Sequence, residues 1–160
     1  MQTAQIEHPI DLIESLASTR EWSCERSGDD ELNLCVVGKH SDYHLAVNWR
    51  IDLASLHVAS VMDIRVPQSK RSEMCELLAL INEQLWLGHF DSWSGDGTLL
   101  FRIPVLVSAE GLAPYQCTEL IDHAVEACDR FFPAFQFVIW AGHTPQEALK
   151  SSLFETQGDA

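Results

Sequence analysis

The chain has 160 residues, 46% of them hydrophobic, with five Trp and seven Phe. That is one ordinary domain with enough apolar mass to bury a core without metal or disulfide staples. Acidic residues outnumber basic ones 24 to 10, a formal charge of −14, which disfavours nucleic acid and anionic lipid as partners.

The basic residues do not cluster; Lys70 and Arg71 are the only adjacent pair. The five cysteines, Cys24, Cys35, Cys75, Cys117 and Cys128, contain no C-x-x-C spacing. The N-terminal sequence has neither a basic nor an apolar signal region, so a reduced, cytoplasmic setting is expected. The longest apolar runs, such as Phe131 to Ala141, are shorter than the ~20 residues that span a bilayer, and no membrane attachment is expected. One domain is expected over residues 1–160, with its core over about 8–156.

His8 to Arg20 reads as a helix, with Pro9 at its first position and Ile10, Ile13, Leu16 and Ala17 on one face. Trp22 to Ser27 and Glu31 to Val37 read as a hairpin about Gly28-Asp29-Asp30, with Leu32, Leu34 and Val36 alternating inward. Gly38 to Ser41 is the next turn. In the strand Tyr43 to Arg50, Tyr43, Leu45, Val47 and Trp49 share one face. In the strand Ser55 to Val66, Leu56, Val58, Ser60, Met62 and Ile64 do so. Short turns join these four strands, which predicts an antiparallel meander.

A second helix is expected over about Ser69 to Leu87, with Met74, Leu77, Leu78, Ile81 and Leu85 as its apolar stripe and Gly88 as its stop. A hairpin follows, from His89 to Trp93 and from Thr98 to Val107, turning on Ser94 to Gly97. Pro104 cannot donate to a ladder, so the second of these strands is expected at an edge or with a bulge. A third helix runs from about Pro114 to Phe132, burying Cys117, Leu120, Ile121, Ala124, Cys128 and Phe131. Pro133 is expected to break or kink it, with helix resuming through Phe135, Phe137 and Trp140. A last short helix starts at Thr144-Pro145 and reaches about Phe154, and Glu155 to Ala160 is expected to be loose. The order α-β-β-β-β-α-β-β-α-α predicts an α+β fold: an antiparallel sheet of about six strands with helices mainly on one face.

Several stretches carry a resemblance: Glu25 to Glu31, Asp42 to His44, Asp63 to Pro67, Ile81 to Asp91 and Phe132 to Gly142. Together they make the chain similar to the YbjN family of bacterial sensory-transduction regulators over about residues 8–156. The resemblance implies a fold similar to type III secretion chaperones, which are usually dimers that hold an extended partner chain. It implies no catalytic residues.

His40, Asp42 and His44 are the best metal-like set, since two imidazoles and a carboxylate suit zinc. The set straddles a turn, which spoils the alternation needed for convergence. His89 and Asp91 could form an imidazole–carboxylate pair, but without a nucleophile the reading is a structural pair at the end of the second helix. Gly95 and Gly97 lack the strand–loop–helix context of a phosphate cradle and read as a turn. Cys117 and Cys128 read as core residues. Cys24 and Cys35 lie on paired strands, where a redox pair is conceivable. The aromatic blocks around Trp86 and Trp140 read as mostly core.

One surface is left without such a structural explanation. If the helices cover one side of the sheet, His44, Ala46, Asn48, His57, Ala59 and Val61 line the other. A semi-polar face lined by small residues suits a peptide or a second copy. The leading expectation is a non-enzymatic protein-interaction module, a regulator or chaperone-like protein binding a protein partner as monomer or homodimer through these six residues, with no cofactor. The alternatives are a metal-dependent enzyme built on His40, Asp42 and His44, and a sensor with a small-ligand pocket between sheet and helix.

Overall fold

The structure, a computed structural model, describes residues 5–158. α1 (Pro9–Thr19) is followed by β1 (Ser23–Gly28), β2 (Glu31–Val37), β3 (Asp42–Arg50) and β4 (Ser55–Arg65). Then come α2 (Arg71–Asn82), β5 (His89–Ser92), β6 (Thr98–Leu106), α3 (Pro114–Ile139) and α4 (Pro145–Gly158). This is the expected α+β fold. The six strands form one sheet in the order β1-β2-β3-β4-β6-β5, with every pairing antiparallel.

Strand alternation sorts the side chains. Leu32, Leu34, Val36, Tyr43, Leu45, Val47, Leu56, Val58, Met62 and Ile64 are buried on one face, joined there by Phe90, Leu99, Phe101 and Ile103. The helices supply the other half of the same core, through Ile10 and Ile13 of α1, Met74, Leu77 and Ile81 of α2, and Ile121, Phe131 and Phe135 of α3. Phe90 stands at its aromatic centre, with ring centroids 5.0 Å from Phe101, 5.3 Å from Phe135 and 5.8 Å from Phe131, all edge-on. Buried Ser60 accepts from the Cys128 thiol at 3.4 Å. Burial pushes that thiol up to about 12 and the Cys117 thiol up to about 11, so both are inert core residues as expected.

α1 is tied to the first hairpin by Arg26, which donates to Asp11 at 2.6 Å and to the carbonyls of Gly28 and Asp29 at 3.0 and 2.9 Å. Asp129 of α3 ties down the β2–β3 turn. Its carboxylate accepts from the Tyr43 hydroxyl at 2.6 Å and from the backbone N–H groups of Lys39 and His40.

Four expectations about the elements need correction. α2 ends at Asn82 and not near Leu87. The Asn82 side chain takes both backbone groups of Phe90, accepting from its N–H at 2.8 Å and donating to its carbonyl at 3.1 Å, which stops the helix and starts β5. β6 lies inside the sheet, between β4 and β5. Pro104 is tolerated because β5 pairs only with Leu99 to Arg102, so the strand has no neighbour on that side at Pro104. The register shift in the β4–β6 ladder lies between Val61 and Arg65, away from the proline. α3 continues unbroken through Pro133. Pro133 has no N–H to offer the Asp129 carbonyl, but Phe131 to Phe135 are all buried, and packing outweighs one lost bond. α4 reaches Gly158, so the expected loose tail is helical over 155–158; residues 159 and 160 lie outside the described residues.

The β5–β6 turn is sterically exacting. Gly97 has φ +77°, and a Cβ there would lie 2.4 Å from the Val66 carbonyl oxygen, which approaches because the Val66 N–H donates to Gly97 O at 2.8 Å. Gly97→Ala is expected to cost about 2 kcal/mol or more, whereas Gly95→Ala, with open space around it, will change little. Chemical denaturation of both variants checks the difference.

Candidate functional site

No described helix packs on the second sheet face. Its residues form cross-strand rows fixed by the ladder. One row runs Asn33, Ala46, Ala59, Arg102, His89. A second runs Cys35, His44, Val61, Leu100, Asp91, and a third Glu31, Asn48, His57, Pro104. The six residues expected on this face, His44, Ala46, Asn48, His57, Ala59 and Val61, therefore lie side by side on β3 and β4. His44 is exposed and the other five are half-buried. Apolar groups continue outward from them, with Val37 77% and Leu106 81% exposed at the margins. Leu100 is buried although it belongs to this side, outside the main core.

At one end the face sinks into a cleft of about 440 Å³ lined by Asn48, Arg50, Ser55, His57, His89 and Arg102, with Leu53 and Pro104 as apolar walls. His89 and Asp91, on the same side of β5, pair at 3.0 Å. Asp91 also stands 3.5 Å from Arg102 Nη1, and Arg102 Nε donates to His57 Nε2 at 3.2 Å. Burial, then the charges of Arg102 and His89, holds His57 below its ordinary pKa of 6.5, so at neutral pH it is the acceptor that this bond requires. The His89–Asp91 pair does not cap α2, as the sequence suggested; it belongs to this network.

His40, Asp42 and His44 do not converge. The His40 ring stacks on Phe132 of α3, centroids 5.6 Å apart and 3° from parallel, on the helix side. Asp42 and His44 stand on β3 positions that face the other way. Among the described residues no group of three or more His, Cys, Asp or Glu side chains is placed to hold a metal ion. Cys24 pairs with Leu34, and Cys35 with Ser23. The two cysteines therefore point to opposite faces and form no redox pair. Burial, then Glu14, raises the Cys24 pKa, which further disfavours a reactive thiolate. The aromatic expectation also fails in part: Trp86 is 98% and Trp140 65% exposed.

A larger cleft, about 650 Å³, lies on the helix side between β2 and α3. Trp22, Val36 and Val125 form apolar walls, with Arg20, Asp122, Asp129 and Arg130 among its charged residues. Arg20 and Asp122 pair across it at 3.3 Å.

Sequence reasoning missed Arg102, His89 and Arg50 as members of one site. Their shared face follows from alternation once β6 is known to lie beside β4, but Pro104 argued for an edge position and hid that neighbour.

A family model for YbjN, described as "Putative bacterial sensory transduction regulator", matches residues 9–137. The solved structure "Crystal structure of YbjN, a putative transcription regulator from E. coli" is similar, with a TM-score of 0.55 and 13% sequence identity, over 75% of this chain and 85% of that one. At that identity the likeness speaks to fold alone. No curated protein matches the chain.

Proposed function

The chain belongs to the YbjN family, and on that premise we propose that it is a non-enzymatic protein-interaction module, a cytoplasmic regulator or chaperone-like protein. It binds a protein partner, or a second copy of itself, through the open sheet face. The observation that carries this reading is the uncovered β3–β4 surface, where Ala46, Ala59 and Val61 offer small apolar contacts between polar His44, Asn48 and His57. The distribution of charge supports a protein partner over nucleic acid: Arg20, Arg26, Arg50 and Arg102 each stand beside a carboxylate, which leaves them no joint cationic track. No described helix is long and apolar enough to cross a membrane.

The test is affinity capture with the wild-type protein and with Ala59→Arg. A bulky cation in the middle row abolishes a contact centred there and leaves the fold intact, as circular dichroism will show. A partner or self-association retained in full by folded Ala59→Arg contradicts the reading, as does turnover of a small substrate with no partner recovered.

The helix-side cleft favours a second reading, a small-ligand sensor, because its apolar walls and charged rim suit a small molecule. Thermal-shift screening against metabolites tests it: a ligand selective for the folded state raises the melting temperature, and an Arg130→Ala variant loses that rise.

A further inference from the structure

Side chains from four strands meet in the open-face cleft: Arg50 of β3, His57 of β4, His89 of β5 and Arg102 of β6. Its lining residues include no carboxylate, though Asp91 reaches His89 at 3.0 Å and Asp52 reaches Arg50 at 2.6 Å from its rim. Arg102 is the organised member. His57 holds its Nε at 3.2 Å and so fixes the plane of the guanidinium. Asp91 lies 3.5 Å from Nη1, longer than the ~2.7–2.9 Å of a strong charge-assisted bond. Among the described residues no group accepts from Nη2. Arg50 is held by Asp52 in a two-point fork, Nη2 at 2.6 Å and Nε at 3.1 Å, so it walls the cleft and Arg102 is the guanidinium with a free donor. Asn48 and Ser55 add neutral donors to the lining.

We propose that this cleft seats a single carboxylate of the partner chain, a Glu or Asp side chain received by the Arg102 guanidinium. The inference rests on the interaction reading of the open face and specifies what anchors there. Charge sets the rest of the segment. A protein of net charge −14 repels a polyacidic chain at long range. One carboxylate within a neutral or basic segment satisfies both the overall field and the cleft. Leu53 and Pro104 contact the apolar groups beside it.

The experiment is an NMR titration of the full chain with three capped pentapeptides of the form Lys-Ala-Xaa-Ala-Lys, in which the central residue is Glu, Gln or phosphoserine. The Glu peptide is expected to give saturable shifts at the Arg102 Nε–H and at the amides of Asn48 and His57, with a dissociation constant on the order of millimolar. The Gln peptide will bind at least about tenfold more weakly. Arg102→Gln will erase the difference between the two, and Arg102→Lys will keep part of it, because charge survives without the planar fork. Equal binding of the Glu and Gln peptides, no saturable shift, or an undiminished preference in Arg102→Gln overturns the proposal. Tighter binding of the phosphoserine peptide overturns it in favour of a phosphate seat. The two levels separate in affinity capture. A partner lost by Ala59→Arg but fully kept by Arg102→Gln leaves the interaction reading standing and sinks the carboxylate seat. A partner kept by both variants sinks both.

Discussion

Phe90→Ala is expected to lower the unfolding free energy by about 3–5 kcal/mol, the cost of deleting a fully buried aromatic ring whose surroundings collapse only in part. The ring touches the rings of Phe101 on the neighbouring strand and of Phe131 and Phe135 on α3, so its loss loosens the contact between sheet and helix directly. In a domain of this size the melting temperature will fall by roughly 10 °C. Phe154→Ala, at a ring 65% exposed, will change it little. Calorimetry on both variants checks the pair. A Phe90 variant as stable as wild type would mean that α3 does not pack on the sheet as described.

Asp129→Ala carries the second large effect. The carboxylate joins α3 to the β2–β3 turn through Tyr43, Lys39 and His40, and hydrogen bonds to a charged group contribute about 1.5–3 kcal/mol each. These bonds act as a unit and do not add, so a total loss of about 3 kcal/mol is expected, with faster amide exchange at Lys39 and His40. The same contact sets a pH dependence. Burial, then the Asp129 bond and charge, raises the Tyr43 pKa far above its ordinary 10.0. A group whose folded pKa is raised contributes stability that is fully present below its unfolded pKa and lost as the pH rises above it. Wild type will therefore lose stability as the pH climbs above 10. Tyr43→Phe will be less stable at neutral pH and will lack that part of the slope. Urea midpoints across the alkaline range check the sign.

Much of the fold is legible in local pattern. The alternation at Leu32, Leu34 and Val36, at Tyr43, Leu45 and Val47, and at Leu56, Val58 and Met62 marks one buried face, and the structure buries those residues. The departures come from contacts distant in sequence. Nothing local says that Asn82 will bond both backbone groups of Phe90 and end α2 early, so Leu85 looked helical and Trp86 looked buried. Pro133 has the chemistry of a break, and the buried run around it keeps the helix whole. Cys24 and Cys35 look like neighbours until the register pairs them with Leu34 and Ser23. The open face follows from parity alone, which is why its six residues on β3 and β4 were readable. The cleft beside them depends on β6 docking against β4, and a lone hairpin sequence does not say which of its two strands will dock.

The central claim is that a partner binds the uncovered β3–β4 face. Its most direct test is site-specific photo-crosslinking, with the photoreactive residue placed at Ala59 in one variant and at exposed Glu119 of α3 in another. The account predicts a discrete crosslinked protein species, or a crosslinked dimer, from position 59 and none from position 119. Crosslinking from position 119 with none from position 59 would place the working surface on the helices and contradict it.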